Sequence, residues 1–437
     1  MNRPYALPFV LALAVSLSSF AGAQSYSVTN IAAASPRAVD SNGNVAGVYE
    51  ASKRPPVAHA FFWSKSGGFL DLGTLGGDDS AAFGINAAGQ VVGQANMSAG
   101  MPDQAFLWTK SAGMSDLGNL GGASSSANAI NSSGQVAGQS DTASTYAHAF
   151  LWTQSAGLKD LGTLPSGQQS SANAINSSGE IAGWSNSGAN NPSTAITWTQ
   201  SAGMVNLGIN ASCGSVALGI NDSAQVVGWF NNSASCDFTS HGFSWTQKGG
   251  LKDLGLLPGG LYSFAYGINA AGQIVGTGSS SSSAALALLW TTDGMVHDLN
   301  TLISAKVPRT LISANAINNA GQIVVDATTK TGTGAYALLL TPIMNTALGS
   351  SPNPSKVGQA VTFTATVSSI AGPPPNGEQV TFKSGIAVLG TGSLSKGVAT
   401  FTTSTLPVGS HKITATYAGD VNYASSKSAI LTQVVTH

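Results

Sequence analysis

The chain has 437 residues, of which 43% are apolar and 8% charged, and its formal net charge is -1. So few Lys and Arg side chains leave little to engage phosphate backbones or anionic lipid headgroups, which makes nucleic acid and membrane surfaces poor candidates as partners. The apolar fraction exceeds what a solvated chain tolerates, so the protein is expected to fold, and its length suits two or three domains.

Residues 1–23 have the layout of an export signal. Arg3 precedes an apolar run from Phe9 to Leu17, and Ala21-Gly22-Ala23 forms a small-residue cleavage site before Gln24. The run is short for a bilayer span, no cysteine follows it to take a lipid, and no later segment approaches eighteen consecutive apolar residues. The expectation is a mature protein that starts at Gln24, is secreted into the periplasm or beyond the cell, and has no integral membrane segment once the signal is removed.

Residues 26 to 341 repeat one unit. A phrase Ile-Asn-x-x-Gly-Gln-Val places its asparagine at Asn86, Asn131, Asn176, Asn221, Asn269 and Asn318, with Asp40 as a seventh copy. A second phrase, Ala-Phe-Leu-Trp, recurs at Trp63, Trp108, Trp152, Trp198, Trp245 and Trp290, with Leu340 in the seventh place. A third, Asp-Leu-Gly, recurs at Asp71, Asp116, Asp160, Asn206, Asp253 and Asp298. Spacings run from 44 to 50 residues. Each unit contains four short runs rich in Val, Ile, Phe and Trp between Gly, Asn and Ser, as in "AFGIN", "QVVGQ", "QAFLW" and "GMSDLG" over 83–118. Such runs are strands. The first connection carries a glycine where a turn needs positive φ, at Gly89 and its counterparts, and Ala224 breaks that rule.

Four strands in about 45 residues make one blade of a β-propeller. The last unit lacks the Asp-Leu-Gly strand, whereas "SYSVTNIA" at 25–32 is an orphan strand whose Asn30-Ile31 aligns with Asp71-Leu72. A seven-bladed β-propeller closed by the N-terminal strand satisfies both ends and removes two exposed sheet edges. Cys213 lies in the link into the fifth unit and Cys236 in that unit's connection between second and third strands, which emerge on the same side of an antiparallel meander. A disulfide is the expected state and two free thiols the alternative. No cluster of ligands accompanies His241 to suggest a metal, and no cofactor is expected.

The alternation of "HAFLW", "GLKDLGTL" and "INSSGQVAG" resembles the HAF repeat of bacterial secreted proteins, named for the His-Ala-Phe at 59–61 and 148–150. The resemblance covers all seven units and implies an exported protein without an assigned biochemical role. After Pro342 the composition turns to Thr, Val, Ser and Pro, and alternation at 359–369, 378–385, 397–404, 410–419 and 429–435 predicts an Ig-like β-sandwich. "ATYAGDVNYASSKS" resembles a bacterial Ig-like domain, which implies a packed role for Tyr417 and a spacer or adhesive function. The domain plan is therefore a signal at 1–23, a propeller at 24–342 and an Ig-like domain at 343–437, all-β throughout.

Candidate chemistry divides into periodic and irregular residues. His59, His148 and His241 share a place that Gln104, Thr194, Leu286 and Tyr336 fill in other units, so they are read as structural. The Asp-Leu-Gly aspartates are read as acceptors for turn N–H groups, and the tryptophans as packing between blades. Irregular residues cluster on the connections "GGDDSAAF" (76–83), "ANMSAGMPDQ" (95–104), "NSGANNPSTA" (186–195) and "FNNSASCDF" (230–238), which share one face. Candidate ligand-binding residues there are the carboxylates Asp78 and Asp79, and the platforms Trp184 and Trp229, which follow "IAG" and "VVG" in neighbouring units. No Ser-His-Asp order, phosphate loop or zinc spacing occurs, and Glu50 and Glu180 are the only Glu residues of the repeats. No catalytic residue is assigned. The leading expectation is a secreted, non-enzymatic protein that binds extracellular glycan or protein through the loop face. An extracellular polysaccharide hydrolase or lyase using loop aspartates is the alternative.

Overall fold

The computed structural model describes residues 25–53, 56–144, 146–188, 192–209, 211–231, 233, 236, 239–420 and 422–437. The signal expected at 1–23 lies outside the described residues, as do parts of the connections at 186–195 and 230–238. Among the described residues the chain folds into seven four-stranded antiparallel sheets, one for each repeat, and a pair of sheets at the C-terminus. The only helix among them is the 3-10 turn Leu299–Thr301.

The second sheet shows how the repeat becomes structure. Its strands are Ser80–Ile85, Val91–Asn96, Asp103–Thr109 and Gly113–Asp116, paired in chain order. Val91 and Val92 are both buried because the sheet is covered on each side by a neighbouring sheet. Gly93 lies so close to the first strand that a Cβ there would overlap the Ala81 carbonyl. The first hairpin turns on Gly89 at φ 72°, and Ala224 adopts the same left-handed conformation at φ 57° in the fifth sheet, at a cost of roughly 1–2 kcal/mol.

First strands of consecutive sheets lie side by side, and the first strand of the first sheet, Ala34–Val39, meets that of the seventh, Arg309–Ile317. The sheets thus follow one another in a closed circle with the first strands innermost. Outermost in the seventh sheet is Tyr26–Ala32, antiparallel to Tyr336–Pro342. Asn30 stands opposite Leu338 as Asp71 stands opposite Phe61 in the first sheet, which is the alignment expected from the sequence. Tyr26 is fully buried in the core of that sheet, with Leu338 and Leu340.

Adjacent sheets meet through the apolar faces of their third strands. The rings of Phe62 and Trp108 stack at 6.1 Å. Equivalent pairs are Leu107 with Trp152, Leu151 with Trp198, Leu289 with Leu340, and Leu339 with Trp63. Buried serines add polar seams, since Ala60 N–H, Ala105 N–H and Ala149 N–H donate to the hydroxyls of Ser80, Ser125 and Ser170 in the following sheet at 2.8 Å.

The repeated asparagines form a belt around the centre. Asn131 Oδ1 accepts the N–H of Ser133 and of Gln135 at 3.1 and 3.0 Å, holding its own turn. Its Nδ2 donates onward to the carbonyl of Asn176 at 3.1 Å. The same onward bond joins Asn86 to Asn131, Asn176 to Asn221, Asn221 to Asn269, Asn269 to Asn318 and Asn318 to Asp40. Only the step from first to second sheet differs. Asp40 has no hydrogen to donate, and Asn42 Nδ2 bonds the Ala87 carbonyl instead at 3.0 Å.

Burial raises the Asp40 carboxyl above its ordinary value of 3.8, against the lowering bonds from Asn44 and Asn42. A carboxyl raised on folding favours the folded state fully below pH 3.8 and loses that contribution as the pH rises through its folded value. In Asp40→Asn the new amide can donate to Asn86 once Asn44 turns its own amide, as Gln90 accepts from Asn86 in the next sheet. The variant is expected to be more stable by about 1 kcal/mol at pH 7 and by less at pH 3. Urea unfolding at both pH values measures this, and a larger gain at pH 3 would contradict it.

A disulfide joins Cys213 and Cys236, with Cα atoms 5.2 Å apart, from the two connections expected to share a side. In the C-terminal region, Asn345–Ser351, Val361–Ser368 and Val398–Thr403 form one sheet. The other contains Gln379–Ser384, Gly409–Tyr417 and Leu431–Thr436, with Ala387–Ser393 at its edge. Phe363, Phe382, Ile413 and Tyr417 fill the space between them. The Tyr417 hydroxyl donates to Glu378 Oε2. This sandwich rests on the turns of the last sheets of the circle. Gln273 Nε2 donates to the Ile370 carbonyl at 3.2 Å, and Gly321 packs against Ala371.

Candidate functional site

The periodic ionisable residues are structural fittings at the rim. Gly73, Gly118, Gly162 and Gly255 donate their N–H to Asp71, Asp116, Asp160 and Asp253 at 2.7–2.9 Å, and Asn206 serves Gly208 in the same way. The three histidines bind the same aspartates from the neighbouring strand: His59 to Asp71 and His148 to Asp160 at 3.0 Å, and His241 to Asp253 at 2.7 Å. Burial acts to raise the Asp71 carboxyl, but bonds from Gly73, His59 and Tyr49 outweigh it and hold the group below the usual carboxylate range.

Of the irregular candidates, Asp78 and Asp79 are both exposed, and the Asp79 carboxylate is engaged by the neighbouring sheet. Asp79 Oδ1 accepts Ala58 N–H at 2.8 Å. Its charge, after burial, is the second cause that raises the Asp103 carboxyl, while the bond from Gln94 Nε2 at 2.6 Å lowers it. Asp103 lines a cleft of about 220 Å³ between the second and third sheets, on the face of the second-to-third-strand connections. Across from Gln94 and Asp103 stand Ser124, Gln139 and Asp141. Asp141 accepts Ser124 Oγ at 2.6 Å. Two carboxylates, two carboxamides and hydroxyls face one small space, which suits a polyhydroxylated ligand.

Trp184 is half-buried in the strand Ile181–Ser185, opposite Ser171 and Ala195. Trp229, half-buried in Val226–Phe230, meets Phe264 of the sixth sheet edge-on at 5.8 Å. Phe264 in turn lies 5.5 Å from Tyr262 and 6.4 Å from Tyr266. Trp229 thus belongs to an aromatic cluster across one sheet junction.

Every innermost strand also contains a β-bulge that sequence reasoning missed. The equivalent residue is left out of the ladder in every sheet: Arg37, Phe83, Asn128, Asn173, Leu218, Tyr266 and Asn315, and the third and seventh sheets have a second register shift, at 121–125 and 311–313. Bulges re-aim side chains. Tyr266 of the sixth sheet is close enough to Arg37 of the first and Asp326 of the seventh for their charges to act on its hydroxyl, which burial above all pushes up to about 12. Asn128, Asn173 and Asn315 donate to the Ala172, Ala217 and Pro36 carbonyls of the next sheet. The aligned copies carry Arg, Phe, Asn, Leu or Tyr at this position, a variation that a regular strand position facing the neighbouring sheet would not tolerate.

Among the described residues no group of three or more His, Cys, Asp or Glu side chains is placed to hold a metal ion, and no helix is long and apolar enough to cross a membrane. No curated protein matches the chain in sequence. Among solved structures, TolB from Acinetobacter baumannii is similar at 13% identity and a TM-score of 0.38, over 52% of this chain and 53% of TolB, so the match spans about half of that protein. The extracellular domain of the putative one component system BT4673 from B. thetaiotaomicron matches at 9% identity and a TM-score of 0.27, over 92% of this chain and 86% of that one. Residues 348–436 match the bacterial Ig-like domain family, group 3, and the C-terminal sandwich is a domain of that kind.

Proposed function

We propose that the protein is an exported, non-enzymatic glycan-binding protein. In this reading the seven sheets are the blades of a β-propeller of HAF repeats, closed by the N-terminal strand, and the Ig-like domain is a spacer. Seven four-stranded sheets in closed succession, at about 45 residues each, support the propeller. The observation that carries the function is the loop-face cleft, where Gln94, Asp103, Ser124, Gln139 and Asp141 converge. Carboxylates and carboxamides in that arrangement accept and donate to the hydroxyls of a sugar, and the low-charge surface around them does not recruit ionic partners.

A glycan array probed with residues 24–437, followed by calorimetric titration of the best ligand, tests the reading. The double variant Asp103→Asn with Asp141→Asn is expected to weaken binding at least tenfold, a loss of about 1.4 kcal/mol. An array without a retained glycan would overturn it. One observation favours the hydrolase reading: Asp103 is raised, as a general acid needs, and shares its cleft with a second carboxyl. Release of reducing ends from a bound polysaccharide, abolished in Asp103→Asn, would replace binding with turnover.

A further inference from the structure

We infer that the groove between the fourth and fifth sheets is a second saccharide site, in which Trp245 stacks on a neutral pyranose ring and Glu180 bonds its hydroxyls. It lies on the turn face, opposite the loop-face cleft, and shares with the proposed function only the class of ligand.

At five junctions of the circle a large apolar residue of one sheet covers the Trp or Leu of the next, as Phe62 covers Trp108. Two junctions break the rule, because Thr197 faces Trp245 and Ser244 faces Trp290. At the second break the gap narrows to about 230 Å³ and the indole is covered. Trp290 is 2% exposed, its Nε1 donates to the Leu254 carbonyl at 3.0 Å, and Gln225 Nε2 bonds Ser244 Oγ at 2.7 Å. At the first break it stays open as a groove of about 590 Å³, within the roughly 300–1,000 Å³ of small-molecule sites. The loop-face cleft, by comparison, has about 220 Å³.

The lining is not that of an accidental void. Trp245 remains half-buried, as does Trp152, whereas Trp63, Trp108 and Trp198 are 8% exposed or less. Glu180 stands where Gln90, Gln135, Gln225, Gln273 and Gln322 stand in other repeats, so this junction alone has a carboxylate in that position. Glu180 Oε2 accepts Asn176 Nδ2 at 2.9 Å, which holds the carboxylate at the groove wall. Thr197, Thr199 and Ser223 contribute hydroxyls, and Lys248 balances the charge. An indole beside acceptors and donors, with no net charge, matches a ring that has an apolar face of C–H groups and a rim of hydroxyls.

The test uses the mature chain and neutral tetrasaccharides of glucose, mannose, galactose and N-acetylglucosamine, followed by calorimetry and indole fluorescence. Thr197→Leu and Glu180→Gln restore residues found at the same places in other repeats, so both variants are expected to fold. Thr197→Leu is expected to weaken binding at least tenfold with an unchanged or higher unfolding temperature, and Glu180→Gln to weaken it several-fold. Asp103→Asn with Asp141→Asn is expected to leave the groove's fluorescence change intact. The inference is overturned if Thr197→Leu titrates like the parent, or if no tetrasaccharide gives heat or a fluorescence change. Loss in the cleft variant alone would refute the groove and leave the loop-face reading standing. Loss in Thr197→Leu alone would do the reverse.

Discussion

Deletion of residues 25–32 is expected to destabilise the whole circle of sheets, not only the seventh. The segment supplies the outermost strand of that sheet and the fully buried Tyr26. Ser25 and Tyr26 donate their N–H groups to the Leu302 carbonyl at 2.8 and 3.0 Å, and Ile343 N–H returns a bond to Ser25. Without the strand, the edge of Tyr336–Pro342 is bare and the core around Leu338 and Leu340 opens to water. Tyr26→Ala isolates the packing contribution, for which a fully buried aromatic ring predicts a loss of about 3–5 kcal/mol. For a circle of this length that corresponds to a fall of roughly 4–8 °C in Tm. Scanning calorimetry of both variants checks the expectation. A deletion variant that melts like the parent would show that the circle does not depend on its closing strand.

Asn131→Ala is expected to cost about 3–5 kcal/mol, although the side chain removed is small and polar. Its 5% exposure means that the N–H groups of Ser133 and Gln135 and the carbonyl of Asn176 lose a partner where water has little access. Asn131→Asp separates the two roles of the residue. The carboxylate keeps the acceptor bonds of the turn, as Asp40 does with Asn42 and Asn44, but cannot donate to the next sheet. Its loss should therefore lie below that of the alanine variant and shrink as the pH falls and the buried carboxyl is protonated. Urea unfolding of the three proteins at pH 4 and pH 7 measures this. Equal, small losses in both variants would mean that the belt contributes nothing to the link between sheets.

Much of the fold was legible because the repeat marks its own turns. Gly89 and its counterparts bound the runs, and the four runs over 83–118 fall on the four strands of the second sheet. The closing strand was legible from Asn30-Ile31 at one end and a missing run at the other. Two strands of the Ig-like domain were not, because Asn345–Ser351 and Ala387–Ser393 are interrupted by Gly and Ser that blur the alternation. The site was harder to read. Asp103 and Asp141 come from strand ends of different repeats and meet only when two sheets pack, and nothing local distinguishes Asp79 from its neighbour Asp78. A bulge leaves a run of residues unbroken in the sequence while removing one of them from the ladder, as it does Arg37 and Tyr266. Thr197 aligns with Leu151, and the repeat alone does not show what the change does. Its effect depends on Trp245, which lies in the following sheet.

The pairing of Tyr26–Ala32 with Tyr336–Pro342 also sets a timetable for folding. The first strand of the circle to be synthesised must wait for the last of the repeats, since Ser27 and its partner Thr341 are 314 positions apart. Contacts of such sequence separation form late and slowly. Until then the seventh sheet has an open edge of Leu338, Leu339 and Leu340, of the kind that recruits other chains. Aggregation during refolding should therefore rise with protein concentration and fall when a synthetic peptide of residues 25–32 is supplied, because the vulnerable interval ends only when that edge is paired.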